Sequence, residues 1–145
     1  DRKRKRTYSS VSSLYILFQN LLLFDFILYQ RCLTENLITP RWMAHILDED
    51  TIPKFQRFAQ EIWDVEEEEP KRAAEVGIQK LYEFFASCGI PMTLPEVGIQ
   101  REENFEEMAQ CAVAHSSISN QGFVPLHEED VASIYRACMS ESSFV

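Results

Sequence analysis

Glycine is scarce in this chain: four residues in 145, each standing alone, at Gly77, Gly89, Gly98 and Gly122. That excludes a glycine-rich phosphate loop, whose backbone must approach a ligand at several neighbouring positions. Neither a nucleophile elbow nor an HExxH pair occurs. The four cysteines, Cys32, Cys88, Cys111 and Cys138, form no CxxC and show no metal-ligand spacing. Three of them fall on apolar helical stripes, so they read as buried free thiols of a reducing compartment, the cytoplasm. Basic residues are few beyond the N-terminal region. Residues 39–145 hold eight Lys/Arg against twenty Asp/Glu, a net of −12. Phosphate binding needs clustered cations, so nucleic acid is excluded as a partner. The first methionine is Met43, so the chain reads as a fragment of a longer protein.

Residues 1–38 differ from the rest. Arg2–Arg6 is a basic cluster, and Val11–Tyr29 is a largely apolar run interrupted by Gln19, Asn20 and Asp25. Length and flanking charge suit a membrane anchor, while the interruptions argue against one and no signal-peptide cleavage site follows. Three readings stay open: an anchor, a segment that is not native to the protein, or an ordinary buried hairpin or helix.

From Thr39 the pattern is helical throughout, with no sustained period-two alternation. The chain therefore reads as all-α, a bundle of about five or six helices over residues 39–140 preceded by the apolar segment. Pro40 opens a short helix with Trp42, Met43, Ile46 and Leu47 on one face, and Asp48-Glu49-Asp50 forms a polar turn. Pro53 opens a second helix whose aromatic face carries Phe55, Phe58, Ala59, Ile62 and Trp63. The charge run Glu66–Glu69 precedes Pro70 and favours the positive end of a third helix.

That third helix organises the chain. Ala74, Ile78, Leu81, Phe85 and Cys88 make its stripe, and Gly89-Ile90-Pro91 stops it. Thr93-Leu94-Pro95-Glu96 has the pattern of a short capped helix ended by Gly98. Glu102–His115 is amphipathic, with Phe105, Met108, Ala109, Ala112 and Val113 inward. The last helix follows Leu126 and turns Val131, Ile134, Tyr135 and Cys138 inward, and Ser140–Val145 reads as a frayed tail.

Candidate chemistry is sparse. Cys111 and His115 stand four apart on one helix face, but two ligands make no site. His127 falls at a helix N-cap position, and His45 lies in a polar stripe. The aromatic set Trp42, Phe55, Phe58, Trp63, Tyr82, Phe84 and Phe85 suits a core, part of which could line a cleft. No catalytic, cofactor-binding or metal-ligating residue is assigned.

Taken in order, Thr39–Met43 (TPRWM), Phe55–Val65, Gly77–Leu81 through Phe84-Phe85, Gly89–Leu94 (GIPMTL) and Gly122–Leu126 with Glu129-Asp130-Val131 carry a resemblance. From about Thr39 to Met139 the chain resembles the helical C-terminal domain of the iron-containing (group III) alcohol dehydrogenases, in their NAD(P)H-dependent butanol dehydrogenase branch. The resemblance implies an oxidoreductase that interconverts small alcohols and aldehydes by hydride transfer. It implies Fe²⁺ or Zn²⁺ held by one Asp and three His, NAD(P)H held by an N-terminal α/β domain, and a homodimer. Where such enzymes carry the His-Gly-x-Gly-Leu-Ala stretch with the last metal ligand, this chain reads RCLTE at Arg31–Glu35. His45, His115 and His127 do not fall at ligand positions. The chain is thus expected to bind neither metal nor nucleotide by itself and to be inactive alone. The rival reading is a non-catalytic helical interaction module tethered to a membrane by Val11–Tyr29.

Overall fold

In the computed structural model, residues 35–120 and 123–145 are described. They form helix α1 over residues 35–45, α2 over Ile52–Trp63, α3 over Pro70–Ser87, a 3₁₀ turn over Pro95–Val97, α4 over Phe105–Ala114 and α5 over Glu128–Ala137. No strand occurs among the described residues. Among the described residues the expected all-α fold is the one observed, with five helices.

Local chemistry sets the joints. Between α1 and α2, Asp48 Oδ1 accepts from the Thr51 and Asp50 amides at 2.9 and 3.0 Å. The Thr51 hydroxyl donates to the Ile46 carbonyl at 2.7 Å, which locks the turn. Glu69 caps α3, accepting from the Lys71 and Arg72 amides, and Pro70 takes the first helical position, where a missing N–H costs nothing. The last charge of the Glu66–Glu69 run is thus spent on a helix terminus.

The stop after α3 is as the residues foretell. Gly89 takes the left-handed conformation (φ 76°), its amide bonds Ala86 O at 3.0 Å, and the Ile90 amide bonds Phe85 O at 3.2 Å. This pair of bonds is a Schellman closure. Glu96 Oε2 then reaches back to the Met92 and Thr93 amides at 3.0 and 2.8 Å, and Gly98 (φ 94°) ends the 3₁₀ turn.

Helix α2 packs on α3, and α4 on α5. Ala59, Ala73 and Gly77 let α2 and α3 approach closely. Leu37, Ile46, Phe55, Ile78, Leu94, Phe105, Val131, Ile134 and Cys138 form one buried core. On the scale of ~1.5–3 kcal/mol per fully buried large apolar side chain, this cluster dominates the stability of the body.

Several sequence expectations are corrected. Helix α1 does not open at Pro40: the chain is already helical at residue 35, and Pro40 lies in the helix interior with its side chain fully buried. Burial of Leu37 (1% exposed) outweighs the backbone bond that an interior proline removes. Ile62 does not face inward but is 61% exposed, because α2 turns Phe55 and Ala59 toward its neighbours. Cys88 and Cys111 are exposed rather than buried; only Cys138 of the three described cysteines is in the core, and Cys32 lies outside the described residues. On α3 the buried stripe is Ala74, Ile78 and Tyr82, with Ala73 and Gly77 beside it, which leaves the Cys88 side out. The chain end is no frayed tail: Phe144 packs edge-on against Tyr82 (5.8 Å), and its amide donates to Gln79 Oε1 at 3.0 Å.

Candidate functional site

The start of α5 is tied to α1 through one carboxylate. Asp130 Oδ2 accepts from the amide of His127, the N-cap residue, at 2.8 Å, and Asp130 Oδ1 meets His45 Nε2 at 3.0 Å. The amide bond, and then the imidazole, hold the Asp130 carboxyl below its ordinary range. The N-cap reading of His127 is upheld. His45, placed in a polar stripe by the sequence, is a cross-helix partner.

Phe123–Leu126 leads into this helix. Leu126 is buried and its amide donates to Ile118 O at 3.0 Å. Phe123, 48% exposed, packs edge-on against Phe55 at 6.2 Å and lies under Lys54 Nζ at 4.3 Å. These contacts position α5.

The end of α5 is tied to α1 by Arg41, which is 2% exposed. Its guanidinium donates to Leu37 O at 2.9 Å, Ala137 O at 3.2 Å and Ser140 O at 2.9 Å, and it lies 5.1 Å over the ring of Tyr82. The Ala137 carbonyl is a helix-terminal acceptor at the end of α5, where a cation is favoured, and the Ser140 carbonyl lies three residues beyond it. Sequence reasoning treated Arg41 only as part of the TPRWM segment. The available signal was its i+4 spacing from Leu37, a charge placed on a buried stripe.

The remaining candidates are not brought together. His115 Nδ1 meets its own helix at Cys111 O (2.9 Å), so this pair of residues is joined through the backbone, and Cys111 Sγ takes no part. The aromatic set is split: Phe55 and Tyr82 are buried, while Phe84 is 49% exposed and stacks between Trp63 (5.8 Å) and Phe85 (6.0 Å). Among the described residues no group of three His, Cys, Asp or Glu side chains is placed to hold a metal ion. With His45 on Asp130, His115 on a carbonyl and His127 at a helix start, these residues do not fit the family's metal. No helix among the described residues is long and apolar enough to cross a membrane. Val11–Tyr29, the proposed tether, lies outside the described residues.

Helices, caps and core all fall within a stretch that can be compared with known proteins. Residues 32–139 match the Fe-containing alcohol dehydrogenase family, C-terminal, and the chain belongs to that family. The match begins upstream of Thr39 and includes all the described residues of α1. The NADH-dependent butanol dehydrogenase A of Clostridium acetobutylicum is 35% identical over 101 residues, 69% of this chain and 26% of that protein. The NADH-dependent butanol dehydrogenase B of the same organism is 30% identical over 102 residues, 69% of this chain and 26% of that protein. The probable NADH-dependent butanol dehydrogenase 1 of Bacillus subtilis is 32% identical over 105 residues, 71% of this chain and 26% of that protein. The chain thus spans about a quarter of the length of the relatives it matches. No solved structure matches it.

Proposed function

We propose that this chain is the helical C-terminal part of a metal-dependent, NAD(P)-linked alcohol dehydrogenase of the cytoplasm. The whole enzyme would interconvert small alcohols and aldehydes by hydride transfer and act as a homodimer. The observation that carries the reading is the coincidence of the matched stretch, residues 32–139, with the buried core from Leu37 to Cys138. The part present would supply a packed helical body, and the nucleotide and metal sites would belong to the remaining three-quarters of such an enzyme. Alone, the chain would not turn over.

A chimera tests this. The C-terminal quarter of the Clostridium acetobutylicum butanol dehydrogenase A is replaced by residues 35–145 of this chain, and NADH-dependent reduction of butyraldehyde is measured. Activity within about an order of magnitude of the parent is expected, because the helical body shapes the enzyme without providing its reactive groups. A chimera that folds and binds NADH yet has no activity would overturn the reading. Oxidation of butanol by the purified 145-residue chain would overturn the claim that it is inactive alone.

A further inference from the structure

Two large apolar side chains are left open at the ends of the α2–α3 pair. Ile62, in the last turn of α2, is 61% exposed, and Phe84, in the last turn of α3, is 49% exposed. The Phe84 ring lies 5.8 Å from that of Trp63, the residue after Ile62, and 6.0 Å from that of Phe85. This stack extends the close contact of Ala59 with Gly77, one turn further along α2 and two turns further along α3. The other exposed large apolar residues have a place in the chain: Phe123 packs on Phe55 beneath Lys54, and Val145 is the last residue of the sequence. Scattered exposed apolar residues are ordinary, but three stacked rings beside an open isoleucine are the kind of patch that marks an interface.

A second observation falls on the same residues. Trp63 Nε1 is sealed from solvent and has no hydrogen-bond partner among the described residues. Buried N–H donors are rarely left so. The packing around Trp63 is thus unfinished on two counts, one apolar and one polar.

What covers the patch follows from the extent of the chain. Ile62, Trp63, Phe84 and Phe85 all lie within the matched residues 32–139, and the chain spans about a quarter of the length of its relatives. In a whole enzyme of that family, about three-quarters of the polypeptide packs against this body. A second copy of the chain is disfavoured by charge, since residues 39–145 carry eight Lys/Arg against twenty Asp/Glu and two such bodies repel. We propose that the patch of Ile62, Trp63, Phe84 and Phe85 is the seat of the upstream three-quarters of the dehydrogenase. That part lays an apolar surface over the rings and brings an acceptor for Trp63 Nε1. The inference rests on the reading of this chain as the C-terminal part of such an enzyme.

The test uses the chimera described above and the 145-residue chain, each carrying Ile62→Cys. Ile62 is exposed, so the exchange leaves the fold of the chain intact. A thiol reagent with peptide mapping gives the labelling rate at position 62, and the buried Cys138, unlabelled, shows that each protein is folded. Labelling is expected to be rapid in the chain and at least about tenfold slower in the chimera, where the patch is covered. Ile62→Glu should leave the urea midpoint of the chain unchanged. It should lower the butyraldehyde-reducing activity of the chimera at least about tenfold, because a carboxylate is then pressed into an apolar contact. Equal labelling in the two proteins, or a fully active Ile62→Glu chimera, would overturn the proposal. So would slow labelling in the chain itself with a concentration-dependent mass, which would assign the patch to a second copy. The two readings fail separately. A folded, NADH-binding chimera that protects position 62 yet is inactive sinks the dehydrogenase reading and upholds the docking. An active chimera that labels at full rate sinks the docking alone.

Discussion

A Cβ built on Gly77 would lie 2.5 Å from the Cβ of Ala59 and 3.0 Å from its Cα, so α2 and α3 meet where no further methyl group fits. Because one of the clashing atoms is backbone, relief requires a helix to move. Gly77→Ala gains about 1 kcal/mol of helix propensity, but overpacking costs of order 1–3 kcal/mol. A net loss of roughly 1 kcal/mol is expected in urea unfolding. An increase in stability would show that the contact yields.

Leu37 sits in the core although the sequence places it with the N-terminal segment. Two truncations separate the readings, one beginning at Glu35 and one at Thr39. The shorter chain loses a fully buried leucine and one helical turn of α1. It should be less stable by about 2–5 kcal/mol, the usual cost of emptying such a site. Equal urea midpoints for the two would remove Leu37 from the core.

Arg41 joins α1 to carbonyls at and just beyond the end of α5. Removing it leaves Ala137 O and Ser140 O short of a donor and strips the face of Tyr82. Arg41→Ala should cost about 2–4 kcal/mol, and Arg41→Lys should recover less than half, since an ammonium cannot span three carbonyls as a planar fork does. Full rescue by lysine would mean that charge alone matters there.

Asp130 sets part of the acid limit. Its folded-state pKa is lowered from 3.8, first by the His127 amide and then by His45. A carboxyl with a depressed folded-state pKa stabilises the fold above its unfolded value, and that contribution is lost as pH falls through the folded value. The stability gap between the parent chain and Asp130→Asn should therefore be full at neutral pH and narrow below about pH 3.8. Urea midpoints from pH 7 to about pH 2.5 read it directly. A gap that does not change with pH would rule out this linkage.

Thiol reactivity should divide the described cysteines. Cys88 and Cys111 are exposed, whereas burial pushes the Cys138 thiol up to about 11. In the native chain at neutral pH, a thiol reagent followed by peptide mapping should label Cys88 and Cys111 rapidly and Cys138 only on unfolding. Rapid native labelling of Cys138 would mean that the end of α5 opens readily.

Much of this fold could be read along the chain because its signals are local. The helix stop at Gly89-Ile90, the cap role of His127, the turn at Asp48–Asp50 and the carboxylate before Pro70 each depend on residues within about five positions. Backbone sterics and unpaired helix-end groups dictate such outcomes whatever packs nearby. The resemblance to iron-containing alcohol dehydrogenases also rested on linear order and spacing.

Other features had no local signature. Nothing near Ile62 or Cys88 in sequence says that α2 and α3 would meet through Ala59 and Gly77, and that contact decides which side of each helix is buried. Pro40 looks like a helix start until the burial of Leu37 is weighed against the missing backbone bond. Arg41, Tyr82 and the chain end lie far apart in sequence and meet only when α1, α3 and α5 pack. Periodicity shows that a helix has an apolar face. How far that face is turned, and which polar groups are buried beside it, follows from the balance of contacts summed over neighbouring helices.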